Sequence, residues 1–88
     1  MDDRAAIFDY IECDSPRAAI RIDERIRQQV ETLAQFPELG RTGRINGTRE
    51  LIVGHTPYIA AYRITGNTVV ILRILHGAQE WPEELGSL

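Results

Sequence analysis

The chemistry available to this chain rests on ten basic side chains, all of them arginine, and two histidines. Arg41, Arg44, Arg49, Arg63 and Arg73 fall within residues 41–76, where Glu50 is the only acid. That segment carries +4, between a first segment of −4 and a tail of −3. A basic block between acidic flanks suits phosphate or an acidic partner, and it equally suits pairing of single arginines with acidic helices. Arg41 and Arg44 sit in a Gly-rich connector, as phosphate or acidic-partner contacts or as solvated loop residues. His76 ends an apolar run, where it could move a proton, stack on a base or bond a backbone carbonyl. Trp81, followed by Pro82, could stack a nucleobase or anchor the tail on the core. His55 reads as a solvated turn residue. Cys13, with only Arg17 as a basic neighbour, reads as an inert thiol. No metal and no cofactor are expected.

These groups must be held by a β-rich stretch, Thr48 to Trp81. Thr48–Val53 is its first strand-like run, broken by Gly54-His55-Thr56-Pro57, since proline cannot donate to a ladder. Tyr58–Thr65 is the second run. Gly66-Asn67 is a two-residue hairpin turn, and Thr68–His76 is the third run. The pattern predicts an antiparallel meander of three strands. Ahead of it, Asp2 or Asp3 caps a first helix reaching about Glu12. Ser15 caps a second, with Pro16 at its first position, where the missing N–H costs nothing. That helix is expected over Pro16–Gln35, with Ala19, Ile22, Ile26, Val30 and Leu33 as one apolar stripe. Arg21, Glu24, Arg25, Gln28 and Glu31 form its solvated side, and Phe36-Pro37 stops it. Pro37–Gly47 reads as a polar connector.

Length and composition bound the class. With 88 residues, the chain is expected to be one domain over residues 1–88. The single cysteine excludes an internal disulfide and fits a reducing compartment. No apolar run approaches the ~18 residues of a membrane helix. The start MDDRAAIFDYIE carries acids where a signal peptide needs bases. A cytoplasmic protein that does not enter a membrane is the expectation.

A two-residue turn at Gly66-Asn67 would pair Ile64 with Val69, Tyr62 with Ile71 and Ala60 with Arg73. One face is then Tyr58, Ala60, Tyr62, Ile64, Val69, Ile71, Arg73 and Leu75. Under a helical hairpin, Arg73 on that face would pair with Asp3. The other face is Ile59, Ala61, Arg63, Val70, Leu72, Ile74 and His76. A helical hairpin covers one face only, so the second is a candidate partner surface.

The ordered set Leu39-Gly40-Arg41, Gly47-Thr48-Arg49-Glu50-Leu51, Pro57-Tyr58-Ile59, Tyr62-Arg63, Leu72-Arg73-Ile74-Leu75-His76, Gln79 and Trp81-Pro82, behind the helical pair Ile7–Phe36, resembles the RelE/ParE superfamily of type II toxin–antitoxin modules, also called plasmid-stabilisation proteins. The likeness runs over nearly the whole chain. It implies an α+β fold, a helical hairpin packed on a small twisted antiparallel sheet. The usual N-terminal strand of the family is expected to be absent here, since helical spacing begins near Met1.

The resemblance also implies partners. Such toxins either cleave mRNA on the ribosome (RelE-like) or poison DNA gyrase (ParE-like), and a cognate antitoxin segment wraps them. The open face, through Ile59, Ala61, Arg63, Val70, Leu72 and Ile74, is the expected antitoxin site. Arg41, Arg44, Arg49 and His76 are the expected target or phosphate contacts. A nuclease would have to be assembled from Arg49, Arg63, His76 and Trp81. RelE-like nucleases carry a basic residue just after the aromatic that Tyr58 matches, and Ile59 stands there. The strand Arg73–His76 is similar to ParE-like proteins. The reading therefore leans to a ParE-like gyrase inhibitor and away from an enzyme. A RelE-like endonuclease and an inactive interaction module are the alternatives.

Overall fold

The computed structural model describes residues 15–77 together with Arg4 and Ile7. Both of these early residues are helical, as the expected first helix requires. The remainder of that helix, Cys13, the question of a missing first strand, and Trp81 with its tail lie outside the described residues. Helix α1 spans Pro16–Thr32. Ser15 caps it from an extended conformation, and its hydroxyl accepts the Ala18 N–H at 3.3 Å. The helix ends earlier than its apolar stripe suggests. The N–H groups of Leu33, Ala34 and Gln35 turn to carbonyls three residues back, the tighter pattern of a closing turn. The Thr32 hydroxyl also bonds back to Gln29 O, a local competitor of the helical ladder.

Ala19, Ile26 and Leu33 are buried along the helix, with Ile22 and Val30 packed beside them. Arg25 leaves the solvated side expected of it and donates from Nε to Gly54 O at 3.2 Å, tying α1 to a sheet turn. Arg4 reaches α1 as well, with Nε 2.7 Å from Asp23 Oδ1. No helix among the described residues is long and apolar enough to cross a membrane.

The sheet has four antiparallel strands, not three, in the order β1 (Arg41–Thr42), β2 (Arg49–Ile52), β3 (Tyr58–Thr65) and β4 (Thr68–His76). Strand β1 lies inside the expected connector; two residues are too few for a period-2 signal. The turn between β3 and β4 is the expected one: Gly66 has φ +60°, which glycine adopts without a Cβ penalty. The expected pairs Ile64↔Val69 and Tyr62↔Ile71 are present, but Ala61, not Ala60, faces Arg73. Leu72 is therefore one extra residue in β4, a bulge. Past it every side chain changes face.

This corrects four placements, among them His76, which leaves the open face for the helix side opposite Tyr58. Ile74 leaves the open face and joins the core under α1 with Ile26, Leu33, Leu51, Val53, Ala60 and Tyr62. Leu75 and Arg73 pass to the open face, opposite Ile59 and Ala61. Arg73 is thus no longer on the helix-covered face, and Asp3, its expected partner, lies outside the described residues.

Tyr62 is fully buried in this core. Its hydroxyl donates to Pro37 O at 2.7 Å and accepts the Gly40 N–H at 2.8 Å. Gly40 is obligatory at this contact: a Cβ there would lie 2.6 Å from the Tyr62 hydroxyl and 2.9 Å from Glu50 O. Tyr62→Phe leaves a buried N–H and a carbonyl without their partner. A loss of about 1–3 kcal/mol is expected, measured as a lower urea midpoint at unchanged slope.

Candidate partner-binding face

The side of the sheet away from α1 is organised by a cross-strand row. Arg41 of β1 faces Glu50 of β2, Glu50 faces Ala61 of β3, and Ala61 faces Arg73 of β4. Opposed residues share a face, so these four lie side by side. Glu50 is only 3 % exposed, the sole buried charge among the described residues. Its Oε1 accepts from Arg41 Nη2 at 3.0 Å. Its Oε2 accepts from the Arg44 backbone N–H at 2.8 Å and from Arg44 Nε at 3.1 Å. Burial alone would raise the Glu50 pKa. The hydrogen bonds from the Arg44 backbone and from both guanidinium groups outweigh it, so the carboxyl sits below its ordinary value. Both arginines stay accessible, Arg41 at 54 % and Arg44 at 43 % of the side chain.

Around this charge cluster the face is apolar. Ile52, Ile59 and Leu75 form a neighbouring row, and Ile52 is exposed. The connector loop closes through Gly43 N to Thr48 O at 2.8 Å and Thr48 N to Ile45 O at 3.1 Å. This closure brings Ile45 onto Ala61 and Leu75, with Leu72 packed beside them.

Of the expected antitoxin-site residues, Arg63 is exposed and Val70 and Leu72 are half-buried. Ile59 and Ala61 are buried as the floor of the face, and Ile74 is on its other side. The open face is thus less bare than its sequence suggests, because Ile45 and the arginine stems cover part of it.

The four residues from which a nuclease would have to be built do not converge. Arg49 faces Tyr62 on the helix side, where Nη1 donates to Gly40 O at 2.8 Å. His76 faces Tyr58, also on the helix side, with the two rings edge to face at 5.6 Å between centroids. Arg63 is on the opposite surface of the sheet, and Trp81 is outside the described residues. Among the expected target contacts, Arg41 and Arg44 come together, whereas Arg49 and His76 lie on the other side.

Glu50 and Ile45 escaped the sequence reading. A signal for Glu50 was present, since it is the lone acid among five arginines; Ile45 in a polar loop offered none. Among the described residues no cluster of His, Cys, Asp or Glu could hold a metal ion.

The family described as ParE toxin of type II toxin-antitoxin system, parDE, matches residues 1–81. The chain is 49 % identical over 76 residues to the putative toxin Y4kP of Sinorhizobium fredii, covering 86 % of this chain and 78 % of that one. It is 40 % identical over 79 residues to toxin RelE2 of Caulobacter vibrioides, covering 90 % and 88 %. A solved structure described as a chromosomal ParDE TA system from P. aeruginosa superposes with a TM-score of 0.73 at 33 % identity, over 82 % of this chain and 81 % of that one.

The Glu50 cluster sets a pH dependence. A carboxyl with a lowered folded pKa stabilises the fold above the ordinary carboxylate range, near pH ~4, and loses that contribution as pH falls through its folded value. Glu50→Gln should cost about 1–3 kcal/mol at neutral pH. Its stability curve should be flatter than that of the parent chain in the acid range, as read by thermal melts across pH.

Proposed function

Because this chain belongs to the ParE toxin family of type II toxin–antitoxin systems, we propose that it arrests growth by binding DNA gyrase and not by cutting mRNA. As a member of that family it has a cognate antitoxin as partner. The observation that carries the target reading is the division of Arg49 and His76 from Arg63 by the thickness of the sheet. Phosphodiester cleavage needs cations at the developing charge and a proton carrier within hydrogen-bond reach of the same phosphate. Groups on opposite faces cannot share one phosphate. Ile59, where a RelE-like nuclease carries a cation, is a buried apolar residue. One absent electrostatic group of this kind is worth roughly 10²–10³ in rate.

The second reading, a ribosome-dependent mRNA endonuclease, draws on the 40 % identity to a toxin named RelE2. The antitoxin is proposed to lie along the open face, over Arg63, Val70 and Leu72, with Ile59 and Ala61 as the floor.

Two measurements test this. Purified protein should inhibit supercoiling by gyrase and leave ribosome-bound mRNA intact when 5′ ends are mapped. Codon-phased cuts that vanish in His76→Ala would establish the endonuclease instead. Inactivity in both assays, with no growth arrest on expression, would leave an interaction module. Leu72→Asp would place a carboxylate in the apolar part of the interface and should weaken antitoxin binding by roughly tenfold or more. Unchanged affinity in a folded variant would move the antitoxin off this face.

A further inference from the structure

The arrangement around Glu50 is unusual for a merely neutralising ion pair. Among the described residues this buried carboxylate accepts from Arg41 and Arg44, yet about half of each guanidinium-bearing side chain remains at the surface. Two cations lie outside and one anion beneath, in the row that also holds Arg73. Arg44 is held at both its backbone and its guanidinium. Among the described residues, Glu50 is the only acceptor for Arg41. Two guanidinium forks fixed from below lose little conformational entropy on meeting a further carboxylate, and a planar fork matches a carboxylate in bidentate fashion.

We propose that Arg41 and Arg44, clamped by Glu50, are a receptor for acidic side chains of an extended acidic–apolar peptide. Resting on the toxin–antitoxin reading, this peptide is the segment by which the antitoxin engages the chain. The apolar half of the occupant is specified by geometry. Glu50 and Ile52 point to the same side of β2, two positions and roughly 7 Å apart along the strand. An extended peptide repeats its same-side residues at that spacing. It can therefore set an acid on the arginines and an apolar side chain on exposed Ile52. Charge argues against a nucleic acid as occupant. A duplex or single strand is tracked by an extended basic stripe, whereas here the arginines border an apolar row of Ile52, Ile59 and Leu75 in a chain of net charge −3. Glu50 is a positioning residue in this scheme: it acts on the ligand only through the two arginines.

The test uses the full chain and fluorescence anisotropy. The probes are a labelled synthetic peptide alternating Glu and Val, its Gln-for-Glu counterpart, and single-stranded RNA and DNA oligonucleotides. The Glu peptide should bind, and the Gln peptide should bind roughly tenfold more weakly or worse. Arg41→Gln and Arg44→Gln should each weaken the Glu peptide by a similar factor.

Glu50→Gln separates positioning from bulk charge, because the two predict opposite signs. Removing a negative charge tightens an anion held by charge alone, whereas loss of the clamp weakens it. Weaker binding is expected. If Glu50→Gln does not fold, as read by its thermal melt, Arg41→Lys takes its place. It keeps the charge, loses the fork and should still weaken the peptide. Tighter binding in Glu50→Gln, unchanged binding in the arginine variants, or an oligonucleotide bound more tightly than the Glu peptide would overturn the proposal. Growth arrest and its relief by a co-expressed antitoxin are read separately. A failed peptide experiment therefore does not count against the toxin assignment, nor a failed growth experiment against the arginine receptor.

Discussion

A phenol hydroxyl buried without partners would cost more than its ring gains, and Tyr62 meets this constraint by seizing two backbone groups of the connector. The consequences run outward from that contact. With Pro37 and Gly40 held on the core, Arg41 and Thr42 are delivered beside β2 and form β1. Once β1 is in place, Arg41 stands opposite Glu50 and the connector loop folds so that Arg44 closes on the same carboxylate. A contact on the helix-covered side of β3 thereby sets the charge arrangement on the exposed side of β2. Gly40 belongs to the same constraint, since no side chain fits between the phenol and the β2 backbone.

Elements announced by local chemistry were legible in the sequence. Ser15-Pro16 marks the start of α1, the β-rich run after Pro57 marks β3, and Gly66-Asn67 marks the hairpin with its first pairs in register. The α+β class and the family followed from the ordered motifs. What was not legible depends on distant partners. Leu72 looks like any other apolar strand residue, and nothing near it signals that it will be left over between Ala61 and Tyr62. That one residue put Arg73, Ile74, Leu75 and His76 on the wrong faces in the sequence reading. Likewise β1 has no pattern of its own and exists because the Tyr62 hydroxyl brings its residues to β2. The burial of Glu50 needs both Arg41 and Arg44, and neither is its sequence neighbour.

The sheet thus separates two chemistries. Toward α1 lies a packed core with Arg49 spent on loop carbonyls and His76 against Tyr58. Away from α1 lies a surface of accessible arginines and aliphatic side chains over a small-residue floor, with Ala61 fully buried between Glu50 and Arg73. A surface of this kind has the parts for recognising another chain: two arginines anchored by a carboxylate beside aliphatic side chains.

The extra residue at Leu72 also shapes the outer margin of the sheet. Among the described residues β4 is the last strand in the sheet order and pairs with β3 along its length. A bulge interrupts the even spacing of donors and acceptors and adds local twist. Strand β4 is in effect two half-strands out of phase with each other. The irregularity that re-sorts the two faces therefore also divides the longest strand into two shorter stretches of even pairing, a break in phase written into a single position.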